Sequence, residues 1–450
     1  MSEHQPDLRV GIVSDVHIGF TGHRDPHYHG LGQIGDQDKW WEYTLRWFKN
    51  RGVDVIAVPG DMTNACDYSI PSWSADYSFR EMTRFYELFR KVFDGTDTQL
   101  VTIYGNHDQF VQKWERANGG DRTPWQDVFG EPYERAFVKR IKGYSFIGAH
   151  WDYEPEAKNL VAAEALRDPE RPVFYLQHGP LANTTIGSDT TRYGEVYTKY
   201  LDIVRDFENV IVLSGHSHAP ITDERAIWQS ETPDAPKCTS ITCSTLNYGF
   251  PEDAWVEGEN LYTKQALYLT VTGKDICVER LSFWTERMVG IARGGEPAYD
   301  FENYTRSCGA DWKFTVGGEK VYDFTRRTKT ALAPEFPENA NLGIRRGDTV
   351  VELRFPAAIP MPCDDDLIQS YHGEAVDADG NVVSEAAVCT EHHVDHSGDY
   401  LSPFYHITLF GLNPNTEYTF RVYASGCFRK SEHPLTITAK TLASVPTHLK

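Results

Sequence analysis

Five short apolar runs in the first half of the chain each stop abruptly in polar side chains. Arg9 to Ser14 is β-branched and flanked by polar residues, the pattern of a buried strand, and it leads into Asp15 and His17. Val53 to Pro59 leads into Gly60 and Asp61, and Gln99 to Tyr104 into Gly105, Asn106, His107 and Asp108. Pro172 to Gln177 ends at His178, and Val210 to Ser214 at Gly215, His216, Ser217 and His218. Between them lie stretches of helical period, Lys39 to Lys49 with paired aromatics and Phe79 to Phe93 with apolar residues three and four apart. Alternation of strand and helix predicts an α/β fold with a largely parallel central sheet, in which ligands sit outside the carboxyl ends of the strands. All five polar clusters fall at those ends. Gly60, Gly105 and Gly215 stand directly before polar residues, where the missing Cβ permits a tight turn or close backbone approach.

Past His218 the pattern changes. Thr239 to Leu246, Leu261 to Thr272 and Ile276 to Phe283 alternate apolar and polar, which predicts antiparallel strands completing a second sheet and a two-sheet sandwich flanked by helices. Residues 285–340 are rich in Gly, Arg, Pro and Glu and read as a wrapping segment or linker. Asp348 to Thr441 has short alternating strands between Pro, Gly and Asp turns, as an all-β sandwich requires. Leu412, Pro414, Thr416, Tyr418, Phe420, Val422 and Ala424 alternate in a way that resembles the tyrosine-corner strand of a fibronectin type III-like domain, though an immunoglobulin-like sandwich of another topology fits nearly as well. The expected division is 1–290, 291–340 as linker, and 341–450 as sandwich. His392, His393 and His396 in the last part read as a solvated loop.

Composition narrows the partners. A chain of 450 residues exceeds what one core usually organises, and 44 Lys plus Arg against 65 Asp plus Glu give a net charge of −21. Binding to duplex nucleic acid by general electrostatics is therefore disfavoured, and an acidic protein that handles phosphate must neutralise it locally, as bound cations do. There is no run of about 18 apolar residues to span a membrane, and the N-terminus shows no export signal. The 8 cysteines are scattered without a C-x-x-C pair and read as small buried hydrophobes in a reducing cytoplasm, although Cys238 and Cys243 lie close enough in sequence to pair.

The polar clusters supply two carboxylates (Asp15, Asp61), one amide (Asn106) and four imidazoles (His17, His178, His216, His218). That mixed donor set suits Zn²⁺, Mn²⁺ or Fe better than Ca²⁺ or Mg²⁺. It is too large for one tetrahedral ion and fits two ions that share a carboxylate and a water, roughly 3.5–4 Å apart. Taken singly, Asp15, Asp61 and Asn106 could be helix caps or Asx-turns and each His a solvated loop residue, but those readings leave the regular placement at five strand ends unexplained.

The order D-x-H, G-D, G-N-H-D, H, G-H-x-H resembles the calcineurin-like metallophosphoesterase family over 1–290. The resemblance implies a four-layer α-β-β-α sandwich. It places Asp15, His17 and His218 on a first ion, Asn106, His178 and His216 on a second, and Asp61 between them. It further implies hydrolysis of a small phosphate monoester or diester by a metal-bridging hydroxide, with His107 giving the leaving group its proton and Asp108 orienting His107. Asn64 stands where purple acid phosphatases carry a Tyr ligand, which disfavours that branch.

The loop with His23, Arg24, His27, Tyr28 and His29 is either a substrate entrance or a polar insertion. His150, Trp151 and Asp152 match no family ligand and read as a structural or rim feature, and Thr184 and Thr185 as rim residues. Whether Tyr28, Trp73, Trp114 or Trp151 stacks on a nucleobase or only packs is left open. The competing function is a non-catalytic binding protein with the sandwich as its partner-binding surface, and the same domain is where a protein partner or a second copy would attach.

Overall fold

The computed structural model describes residues 5–18, 37–64, 71–108, 123–189, 198, 200–247, 249, 263–283, 305–360, 367–393 and 401–444, without the side chains of 71–77. The predicted strands and helices of the first half form close to their expected places. In chain order they begin with β1 (Leu8–Ile12), α1 (Gln37–Asn50), β2 (Val55–Val58), α2 (Pro71–Phe93) and β3 (Gln99–Thr102). Next come β4 (Ala136–Ile141), β5 (Tyr144–Ala149), β6 (Val173–Leu176) and β7 (Val210–Ser214). Then follow β8 (Ile227–Trp228), β9 (Thr239–Thr242), β10 (Gln265–Thr272), β11 (Asp275–Ser282), β12 (Arg306–Ser307) and β13 (Trp312–Thr315).

Because side chains alternate along a strand, a run that is apolar throughout must be covered on both faces. In β2, Ile56 and Val58 pack with Trp41, Phe48, Phe85 and Leu88 of α1 and α2, whereas Val55 and Ala57 face the opposite way. There they meet Phe146, Phe174, Ile211 and Leu213 of a second sheet. In that sheet Val210 and Val212 turn outward onto Val161 and Ala165 of the helix Lys158–Arg167. The N-terminal unit is thus four layers, α-β-β-α. Trp41 fixes α1 on α2 by stacking on Phe85 at 4.7 Å and donating its indole N–H to the Phe85 carbonyl at 3.0 Å.

The strands are shared between two sheets. The first runs β12-β11-β10-β1-β2-β3 with β13 also on β11, and the second runs β4-β5-β6-β7-β9-β8. The expected two-sheet sandwich forms, but the parallel strands are divided between its two sheets rather than gathered in one: β1, β2 and β3 are parallel in the first, β5, β6, β7 and β9 in the second. Two of the later strands were also expected elsewhere. β10 and β11 are antiparallel as predicted but lie in the first sheet, where β10 covers the free edge of β1, and β9 pairs parallel with β7. Three of the polar clusters therefore stand on one sheet and two on the other.

The chain packs as two compact units, and the first extends to Phe324, past the boundary near 290 expected from the loss of periodicity. The reason is local, since the short strands β12 and β13 are held on the edge of β11 by pairing rather than by an apolar period of their own. In the second unit, β14 (Gly343–Arg346), β15 (Val351–Pro356) and β18 (Phe404–Leu409) form one antiparallel sheet. β16 (Ser370–Val376), β17 (Val382–Cys389), β19 (Glu417–Ser425) and β20 (Leu435–Lys440) form the other. Leu353, Phe355, Ile407, Tyr418, Phe420 and Val422 fill the core of this sandwich. The tyrosine corner is present, with the Tyr418 hydroxyl accepting the Asn413 backbone N–H at 3.1 Å.

One expectation is corrected here. His392 and His393 are not solvated: both are buried in a short turn, where His393 Nδ1 lies 2.5 Å from the Thr390 carbonyl oxygen. His396 lies outside the described residues. Cys238 and Cys243 are both free and buried, so they do not pair, and Cys308, Cys389 and Cys427 are also buried, as small hydrophobes.

Tyr418→Phe leaves the Asn413 N–H without its acceptor and should lower the stability of the sandwich unit by about 1 kcal/mol, read as a shift of its urea midpoint in the full-length chain. An unchanged midpoint would mean that the corner carries no net stability.

Candidate metal centre

The two sheets bring their polar strand ends to one place. Asp15 and His17 follow β1, Asp61 follows β2, Asn106 follows β3, His178 follows β6, and His216 and His218 follow β7. Metal-competent atoms of Asp15, His17, Asp61 and His218 all lie within 4.8 Å of one another, and all four residues are buried. In this half His218 Nε2 is 2.9 Å from Asp15 Oδ1 and 3.3 Å from His17 Nε2. The other half gathers on Asn106, whose Oδ1 is 2.6 Å from His216 Nδ1 and 2.9 Å from His178 Nε2. Asp61 faces both halves. Its Oδ2 is 3.8 Å from His17 Nε2 and 3.2 Å from His178 Nε2, while its Oδ1 accepts the His107 backbone N–H at 2.8 Å.

The backbone is bent to achieve this. Asp15, His17, Asp61, His216 and His218 all have φ between 49° and 67°, the left-handed region that costs a residue with a Cβ about 1–2 kcal/mol. Such conformations persist where surrounding contacts over-determine them, and they cluster at functional sites. Here His17 N–H donates to the Asp61 carbonyl at 3.0 Å, and the His216 N–H to Asp15 Oδ2 at 3.0 Å. Glycine is required beside them. A Cβ on Gly105 would strike Asp61 Oδ1 and the Asp61 nitrogen, and one on Gly60, itself at φ 99°, would strike His178 Nδ1.

Burial and mutual charge set the protonation pattern. His17 is held well below the usual histidine range, chiefly by burial, and burial pushes His216 down to about 3. His178 moves the other way, up to about 10, because the Asp61 carboxylate outweighs burial. The Asp61 carboxyl stays well below its usual range although burial opposes this, held there by His178 and His107. His178 Nδ1 lies 2.8 Å from the Pro59 carbonyl and donates to it, which turns Nε2 toward Asn106 and Asp61. Converging carboxylate, amide and imidazole atoms that favour positive charge between them fit a pair of divalent cations on chemical grounds.

His107 stands at the edge of the cluster, its ring 4.5 Å from that of His17 at 86°. Its pKa is lowered, chiefly by burial, although Asp61 and a hydrogen bond to the Asn64 backbone oppose the shift. Asp108 does not reach it, contrary to the sequence expectation. The Asp108 carboxylate instead accepts the Thr63 N–H and hydroxyl, both at 2.9 Å, the Gly105 N–H at 2.8 Å and the Met62 N–H at 3.3 Å. It joins the loop after β2 to the loop after β3. Burial and the charge of Asp61 push its carboxyl up to about 7, against those hydrogen bonds.

A second brace lies at His150, which the sequence read as a structural or rim feature. The buried His150 accepts the Tyr104 N–H on Nδ1 at 2.8 Å, and the next residue, Trp151, donates its backbone N–H to the Tyr104 carbonyl at 3.0 Å. The peptide that precedes Gly105 and Asn106 is thus held on both sides, and burial keeps His150 neutral, with its pKa down at about 3. Only the position of His150 at the end of an apolar run hinted at this. Thr184 and Thr185 are buried rather than at a rim, and Thr184 donates its hydroxyl to the Leu181 carbonyl at 2.7 Å. The loop with His23, Arg24, His27, Tyr28 and His29, and Trp114, lie outside the described residues, as does the side chain of Trp73.

A four-layer sandwich whose strand ends gather such a cluster defines the metallophosphoesterase class of fold. Residues 8–220 match the family model of calcineurin-like phosphoesterases, so the chain carries a domain of that family. The match begins at β1 and ends just past His218. No curated protein sequence matches the chain. Among solved structures, a dimetal phosphatase from Danio rerio is similar at 9% identity and a TM-score of 0.43, over 69% of this chain and 100% of that one. Vacuolar protein sorting 29 from Cryptosporidium parvum is similar at 10% identity and a TM-score of 0.30, over 68% of this chain and 98% of that one. A redesigned β-sandwich protein is similar to 26% of this chain over 99% of its own, at 20% identity and a TM-score of 0.18.

Gly105→Ala should displace the Asp61 carboxylate and lower the metal content of the protein while its circular dichroism stays that of the wild type. Full metal content in that variant would contradict the close approach described here.

Proposed function

We propose that the N-terminal unit is a metal-dependent phosphoesterase that hydrolyses small phosphate esters with two ions of Mn, Fe or Zn. Asp15, His17 and His218 would hold one ion, Asn106, His178 and His216 the other, and Asp61 would bridge them. The observation that carries this reading is the position of Asp61 Oδ2 between His17 Nε2 and His178 Nε2, with the donor atoms of each half gathered on its own side. When bound, the two cations would acidify a shared water and neutralise phosphoryl charge, which a chain of net charge −21 does not do with its own surface.

The protein's own groups supply position and a proton. His178 is fixed as an Nε2 donor by its hydrogen bond to Pro59, and Asp61 is fixed by the His107 N–H, so neither has to reorganise during the reaction. His107 is the proton donor to the leaving group in this reading, aimed by its contact with the Asn64 backbone and its packing on His17. Asp108 acts through the backbone, holding the Asp61 and Asn106 loops in register.

Metal-stripped protein reloaded separately with Mn²⁺, Zn²⁺, Fe²⁺ and Mg²⁺ should regain hydrolysis of p-nitrophenyl phosphate or bis-p-nitrophenyl phosphate, and the better ester assigns phosphatase or phosphodiesterase. Full loading without turnover of either would contradict the reading. His107→Ala should keep its metals, lose about 10²–10⁴-fold in turnover of esters with poor leaving groups, and lose much less with p-nitrophenolate, which needs no proton. An equal loss with both kinds of ester would remove His107 from the proton-donor role.

A further inference from the structure

Trp151 stands beside the cluster and is not one of its ligands. Its ring centroid is 5.4 Å from that of His216 at 35° and 5.5 Å from that of His178 at 73°, on the Asn106 half of the site. The indole is only partly buried, with part of its surface packed on the outer core of the second sheet and part accessible. The backbone that carries it is tied to the strand end of β3. The Trp151 N–H is bonded to the Tyr104 carbonyl, and His150 is enclosed by the rings of Tyr104, Trp125 and Tyr133, with centroids 4.9, 4.7 and 5.0 Å away. Asp152 then turns away in the left-handed region at φ 70° and is exposed.

We propose that Trp151 is the specificity-determining wall of the site and takes a flat aromatic group of the phosphoester, an aryl ring or a nucleobase. This rests on the phosphoesterase reading. A phosphoryl group held between the two ligand sets lies next to His178 and His216, so a substituent a few bonds from phosphorus reaches the indole. Aromatic pairs favour offset or tilted contacts with centroids about 4.5–7 Å apart, and an indole already packed on His216 and the second sheet gives up little conformational entropy on binding.

The test is calorimetric binding of phenylphosphonate and methylphosphonate to the full-length, metal-loaded protein, with metal content measured for each variant. The wild type should prefer phenylphosphonate about tenfold, Trp151→Ala should bring that preference close to one, and Trp151→Phe should keep most of it. A second pair, adenosine monophosphate against ribose 5-phosphate, separates a nucleobase from a simple aryl group by whichever preference is larger. A preference that survives in Trp151→Ala would overturn the proposal. Metal-loaded wild type that binds neither phosphonate would overturn the phosphoesterase reading beneath it, a result distinct from loss of discrimination.

Discussion

The N-terminal unit is organised around one electrostatic demand, which is that buried carboxylate, amide and imidazole groups from two different sheets share a small volume with Asp61 at its centre. Taking ionised carboxylates out of water is costly unless a compensating charge is present. In the protein alone, part of that compensation is the positive charge that Asp61 favours on His178. Two cations would answer the same demand more fully. The backbone strain at Asp15, His17, Asp61, His216 and His218 is a second cost concentrated at the same point.

What offsets these costs lies just behind the site. The interlayer core of Val10, Ile12, Val55, Ala57, Ile211 and Leu213 fixes the strand ends, so that the bends fall beyond the sheets and not within them. Asp108 and His150 then lock the loops, each by accepting backbone N–H groups from residues distant in sequence. Asp108 is a polar group buried with its partners, the condition under which burial rigidifies a site rather than destabilising it, and His150 is buried with its Nδ1 paired.

Much of this was legible in the chain, and the rest was hidden for identifiable reasons. An apolar run followed at once by Asp, Asn or His marks a strand end whatever sheet it joins, so Asp15, Asp61, Asn106, His178 and His216 could be located from pattern alone. Which sheet each strand joins is decided by edge pairing, for which alternation carries no signal; hence β10 was expected beside the wrong strands, although it pairs with β1. Asp108 was expected to orient its neighbour His107 because the family resemblance implies it. Its actual donors at Met62 and Thr63 come from another loop, and only coordinates join them. The burial of His392 and His393 depends on a short turn with no period to detect, whereas the alternation from Leu412 to Ala424 was long enough to place Tyr418 at its corner.

The proposed bridging role of Asp61 is tested most directly by metal stoichiometry. Elemental analysis of the wild type and of Asp61→Ala, each loaded with Mn²⁺ or Zn²⁺ and freed of excess, should find about two ions per chain in the first and strongly reduced occupancy of both sites in the second. Two tightly held ions in Asp61→Ala would contradict a shared carboxylate, and with it the arrangement of the site proposed here.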